Sequence, residues 1–266
     1  MDRNDLFSSA PSLYFKRREE ASISIALRLT RAPERFVIRI TGGCGNMSAE
    51  DAVGLYDMFC DALSGYRGAI LFGGTRMVRR VNSDIIVPAI TEIAPLVKRQ
   101  NPYVQILGVV PKPGDIKMVP EFGIVVTDDL DNDFVTIIHP DQDQCMVVQQ
   151  NVDKGVDWTV EFQECMTITS FLREEAGWNS LLVSYNGGGV TEKEIMATAK
   201  LGWPVLLVNG SGRVTEKLAN DQEFLASHPN VMVAEKSAPS LRHQLTRAGA
   251  VVGSLPLTLV KGQRMN

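Results

Sequence analysis

Four shortages narrow what this chain can be. Cysteine is sparse and scattered: Cys44, Cys60, Cys145 and Cys165 form no C-x-x-C pair, so neither a zinc ribbon nor a disulfide framework is indicated. Reduced, mostly buried thiols are expected. Cys44 stands apart, because it lies in a glycine turn ahead of a helix, where a thiolate is stabilised. Histidine is scarcer still, and His139, His228 and His243 are arranged in no metal or triad pattern. A basic excess is missing too. The net charge of −4 argues against a nucleic-acid binder, which needs cations against phosphates, and Lys16-Arg17-Arg18 and Arg79-Arg80 read as solvated faces. Finally, no apolar run reaches the roughly 18 to 20 residues of a membrane span. The polar N-terminus, MDRNDLFSSAPSLYFKRREE, lacks the apolar stretch of a signal peptide. A cytoplasmic location is the expectation, and the sequons at Asn46 and Asn209 are then glycine-turn residues rather than glycosylation sites.

What the chain has in quantity is apolar residues, 44%, and 22 glycines. At 266 residues this suffices for one large α/β domain. Apolar runs that end in glycine and hand over to a helical stripe recur at least four times. FVIRI at 36–40 ends in Thr41-Gly42-Gly43-Cys44-Gly45-Asn46, and Ser48 can cap the following helix. AILF at 69–72 ends in Gly73-Gly74-Thr75-Arg76. A helical stretch capped by Asn82 or Ser83 is expected to run from there to about residue 99, interrupted by Pro88 and Pro95.

A third strand at 104–110 precedes an irregular region, 111–156. It reads as short strands and acidic turns near the sheet edge or over the ligand site. The cluster DDLDND at 128–133 lacks the glycine and distal glutamate of a calcium loop, so it reads as a solvated turn. A helix is expected over about 157–175, then two consecutive strand, glycine turn and helix units over 181–220, a strand at 230–234 and a helix at 240–248. Strands alternating with helices imply a doubly wound, mostly parallel sheet with helices on both faces. The expected organisation is an arm or edge strand over 1–34, the domain over 35–253 and a tail over 254–266.

In such a sheet the ligand lies outside the carboxyl ends of the strands, where all four glycine turns fall. Uncapped backbone N–H groups and a helix dipole converge there on an anion, typically a phosphate. The candidate ligand-binding residues are therefore Gly42, Gly43, Gly73, Gly74, Thr75, Arg76, Gly187, Gly188, Gly189, Thr191, Gly210, Ser211, Gly212 and Arg213. Arg76 and Arg213 are suited to bidentate capture of a phosphate or carboxylate, the alternative for each being a surface ion pair. Glu194, three positions after Thr191, has capping-box spacing, and that structural reading stands ahead of a catalytic one. No G-x-G-x-x-G in its dinucleotide context and no P-loop are present.

The order GGCGN, FGGTRM, NGGGVTEKEI and WPVLLVNGSGR resembles the SLOG superfamily, within it the prokaryotic branch similar to the N-terminal ligand-sensing domain of TRPM-type channels. The similarity spans roughly residues 35 to 250. It implies a Rossmann-like sheet that binds a nucleotide-derived signal (ADP-ribose, cyclic ADP-ribose, NAD or a mononucleotide), with no cofactor or metal required. It also implies a sensor that reports to a homo-oligomer or a membrane effector protein. The same superfamily includes phosphoribohydrolases with the motif P-G-G-x-G-T-x-x-E. Residues Asn186 to Glu194 keep both early glycines, Thr191 and Glu194 but lose the proline and the third glycine. The alternative function is thus a nucleotide N-glycosidase that uses Glu194.

Overall fold

The structure, a computed structural model, describes residues 29–43, 49–73, 75–80, 86–88, 90–111, 117–119, 123–126, 134–138, 145–148 and 158–253. The expectations for the arm before residue 29, Cys44, Ser48, Gly74, the acidic turn at 128–133 and the tail beyond 253 lie outside these residues.

Seven strands build one sheet: β1 (Phe36–Gly43), β2 (Ala69–Gly73), β5 (Gln105–Pro111), β9 (Cys145–Val148), β10 (Asn179–Asn186), β11 (Val205–Asn209) and β12 (Val231–Glu235). Their order is β12-β11-β10-β1-β2-β5-β9, and every pairing is parallel. The strands are apolar on both faces, as a sheet covered on both sides requires. Ile38, Ile40, Ile70, Phe72, Val183 and Val208 face one core. It is covered by α1 (Ala49–Ala62), α2 (Ile93–Gln100) and α7 (Ala238–Arg247). Val37, Leu71 and Leu107 face the other way, under α3 (Trp158–Glu174). Leu182, Val205 and Leu207 do so under α4 (Gly189–Lys200), α5 (Arg213–Ala219) and α6 (Gln222–Ser227). Burial of each such side chain contributes about 1.5 to 3 kcal/mol, which holds a helix layer on each face of the sheet. This is the doubly wound, Rossmann-like architecture that the glycine-terminated strands imply.

The chain leaves β1 through α1 to β2 on one side. After α3 it returns to place β10 on the other side of β1, and β11 and β12 continue outward. The strand order therefore reverses between β1 and β10, where a crevice opens at the carboxyl ends.

Two expectations are corrected. The glycine turn of Gly73, Thr75 and Arg76 does not enter a helix. The chain passes from Gly73 into β3 (Thr75–Arg80) and then β4 (Ile86–Pro88), part of a second, antiparallel sheet. Its order is β4-β3-β8-β7-β6, with β6 (Lys117–Val119), β7 (Gly123–Val126) and β8 (Phe134–Ile138) supplied by the stretch after β5. The register shifts between Thr75 and Met77, which makes Arg76 the extra residue of a bulge. The expected helix from Asn82 or Ser83 to residue 99 is replaced by β4, a short 3-10 turn (Ile90–Glu92) and α2. The prolines account for this. Pro88 ends an edge strand, where its missing N–H is tolerated, and Pro95 falls in the first turn of α2, where the N–H has no intrahelical partner anyway.

Candidate functional site

At the switch point β1 and β10 run in register to their last residues, with Gly42 opposite Tyr185 and Gly43 opposite Asn186. A side chain at residue 42 has no room: its Cβ would stand 2.1 Å from the Tyr185 carbonyl oxygen. Asn186 joins the turns to one another. Its Nδ2 donates to the Gly43 carbonyl at 2.8 Å, and its backbone N–H donates to Ser211 Oγ at 2.9 Å. Its carbonyl accepts from Thr215 Oγ1 at 2.6 Å, and that hydroxyl lies 2.6 Å from Ser184 Oγ. Asn186 has φ 58°, in the left-handed region that asparagine tolerates better than most residues. Polar bonds thus fix three turns, each from a different strand, on one residue.

Next comes Gly187 (φ 87°), whose Cβ would strike the Thr191 side chain at 2.5 Å. Helix α4 starts at Gly189 behind an N-cap, Gly188, that has no side chain to offer. The first-turn N–H groups are therefore uncapped. Thr191 is buried against Gly187 instead of capping.

Arg213 lies across this mouth. A Cβ on Gly188 would sit 2.9 Å from its Nη2, and one on Gly43 would sit 3.4 Å from its Nη1. Its backbone is left-handed (φ 48°), behind Gly212 (φ 93°) and Gly210 (φ 74°), at a cost of about 1 to 2 kcal/mol for a residue with a Cβ. The side chain is exposed and forms no hydrogen bond or ion pair with any described residue. Just past the end of β12, Lys236 lies beside Gly210, with Nζ 5.8 Å from the centre of the Tyr185 ring.

The structure therefore gathers Gly42, Gly43, Gly187, Gly188, Gly189, Gly210, Ser211, Gly212 and Arg213 at one crevice. Gly73 ends β2 on the far side of β1, and Thr75 and Arg76 belong to the second sheet. Asn186 and Thr215 were missed as site residues, although a Ser-Tyr-Asn run closing an apolar strand is a visible signal.

Glu194 is not the partner of an N-cap. Because α4 begins at Gly189, Thr191 is already inside the helix and Glu194 faces inward from its second turn. There it forms a buried ion pair with Arg39 of β1, the two residues being 8% and 2% exposed. Arg39 Nη1 also lies 3.0 Å from Met166 Sδ, and its Nε has no partner among the described residues. The sequence held a signal here: an arginine in the middle of FVIRI requires a buried counter-charge.

A second carboxyl, Glu161 of α3, lies against Gly73, where a Cβ would be 2.1 Å from its Oε1. Burial first, and the Glu194 charge second, hold its carboxyl well above the usual carboxylate range. The folded protein therefore keeps a proton that the unfolded chain releases above about pH 4.3. This contribution to stability is complete at lower pH and declines as pH rises toward the folded value. The melting temperature of Glu161→Gln is expected to fall less between pH 5 and pH 8 than that of the wild type. Parallel profiles by calorimetry would refute this.

Among the described residues, no cluster of three or more His, Cys, Asp or Glu is placed to hold a metal ion, and no helix is long and apolar enough to cross a membrane. Cys60 and Cys165 are buried free thiols, with Cys60 pushed up to about 11 by burial and then by Asp57 and Asp61.

Residues 85–250 match the family described as SLOG in TRPM, prokaryote. No curated protein matches the chain. Among solved structures, similarity extends to the molybdenum cofactor carrier protein of Chlamydomonas reinhardtii, at 15% identity and a TM-score of 0.47, covering 81% of this chain and 98% of that one. It extends also to the molybdenum cofactor binding protein of the phototrophic bacterium Rippkaea orientalis, at 16% identity and a TM-score of 0.44, covering 81% and 96%. At such identities the likeness concerns the path of the chain alone.

Proposed function

The chain belongs to the SLOG in TRPM, prokaryote family, and from that premise we propose that it is a ligand-sensing domain for a phosphate-bearing, nucleotide-derived small molecule. One observation carries this reading: the Arg213 guanidinium, with no hydrogen bond or ion pair to any described residue, lies across Gly43 and Gly188, at the uncapped start of α4. A cation, open N–H groups and glycines that let a ligand approach the backbone are what a phosphate requires. The left-handed backbone at Arg213 fits the same reading, since local strain persists where the surroundings impose it and concentrates at ligand clamps.

The sensing step would be a population shift. Phosphate binding orders the Gly210 to Arg213 turn, which reaches Asn186 through Ser211, and so favours one state of an oligomer or of a complex with an effector. The alternative, N-glycosidic hydrolysis by Glu194, draws less support, because that carboxylate is already committed to Arg39.

Isothermal titration with pyrophosphate, AMP, NAD, ADP-ribose and cyclic ADP-ribose tests the reading. At least one is expected to bind, and Arg213→Ala to weaken it about 10- to 100-fold, as for loss of a hydrogen-bonded charge. Absence of binding by the whole panel, or an affinity indifferent to Arg213, would overturn it.

A further inference from the structure

We infer that Glu161 of α3 is a specificity-determining residue of the proposed crevice, recognising the ribose hydroxyls of a ligand whose phosphate is held at Arg213. This rests on the ligand-binding reading above and deepens it.

Gly73 is the final residue of β2, one beyond the rung that pairs Ile40 with Phe72, and β1 goes on from that rung to Gly42 and Gly43 at the crevice. The carboxyl of Glu161 fills the space that a side chain at Gly73 would take. A helix has thus delivered a carboxyl to the end of the strand next to β1. In doubly wound sheets the ligand lies outside the carboxyl ends at the switch point, and a ligand anchored by its phosphate at Arg213 has the end of β2 as the next place along that edge for its ribose.

The other carboxyl nearby is not free for this role. Glu194 is neutralised by Arg39, whereas Glu161 makes no hydrogen bond or ion pair with any described residue. Glu194 on α4 is the charge that acts on it, while Glu161, Glu194, Glu164 and Arg39 together act on the Cys165 thiol one turn along α3. Burial, and then the Glu194 charge, keep the proton on Glu161, and a protonated carboxyl both donates and accepts. It suits a vicinal diol, whose hydroxyls also do both.

The test compares AMP with pyrophosphate as probes on the full chain, by titration calorimetry at one fixed pH. Glu161→Leu removes both hydrogen-bonding functions, while Glu161→Gln keeps a donor and an acceptor. The leucine variant is expected to lose about tenfold in AMP affinity with pyrophosphate affinity unchanged. The glutamine variant should retain AMP binding. Gly73→Ala, which displaces the carboxyl without removing it, should act like the leucine variant.

Equal losses for both probes, or no loss in either, would overturn the assignment while leaving phosphate binding standing. Failure of the wild type to bind either probe would instead overturn the ligand-binding reading itself.

Discussion

Replacing Arg39 with methionine is expected to destabilise the protein by about 3 to 5 kcal/mol, because it strands the buried Glu194 carboxylate without a counter-charge. For a domain of this size that corresponds to a fall in melting temperature of roughly 6 to 20 °C. Glu194→Leu should cost a similar amount through the opposite orphan, the Arg39 guanidinium, which is 2% exposed. The double variant is the informative one. With both charges gone, the desolvation cost of the pair goes too, so its loss should be far smaller than the sum of the single losses. Additive losses in thermal unfolding would show that the two residues do not act as a pair.

A single methyl group at residue 42 should have the second-largest effect. The Cβ of Gly42→Ala would meet a backbone oxygen, that of Tyr185. No side-chain rotation relieves such a clash, so β1 and β10 must separate at that rung. A loss of about 1 to 3 kcal/mol, typical of overpacking, is expected, together with a marked drop in pyrophosphate affinity, since the neighbouring rung joins Gly43 to Asn186. Gly54 of α1 is the control. A Cβ there meets nothing within 4 Å, and Gly54→Ala should stabilise by about 0.5 to 1 kcal/mol through helix propensity. If Gly42→Ala matched that control in a urea titration, the tight approach of the two strands would be wrong.

The contrast between these two glycines shows what the sequence made legible. Runs such as FVIRI and VLLVN are apolar without alternation, which only a two-faced sheet explains, and glycines at their ends mark βα turns. The fold class and the crevice at Gly43, Gly188 and Arg213 follow from that pattern. Illegible were the features that depend on partners far along the chain. Arg39 and Glu194 are 155 positions apart, and nothing local in T-E-K-E distinguishes a capping glutamate from one turned inward. The decisive fact is which residue starts the helix, and Gly188 takes the N-cap place that Thr191 would have needed. The stretch from Thr75 to Pro88 failed for a related reason. Its polar, arginine-rich strand lies between Ile86–Pro88 and the distant Phe134–Ile138, and no local propensity announces that second pairing.

The bond from Asn186 to Gly43 spans 143 positions, and this has a consequence for how the protein is made. During synthesis β1, β2 and β5 emerge early and can pair, but the side of β1 that faces β10 stays open until the second half arrives. The crevice does not exist before then. A nascent or truncated chain ending short of β10 lacks the rung that joins Gly43 to Asn186. The crevice is therefore a product of the docking of the two halves, and its geometry reports that assembly is complete.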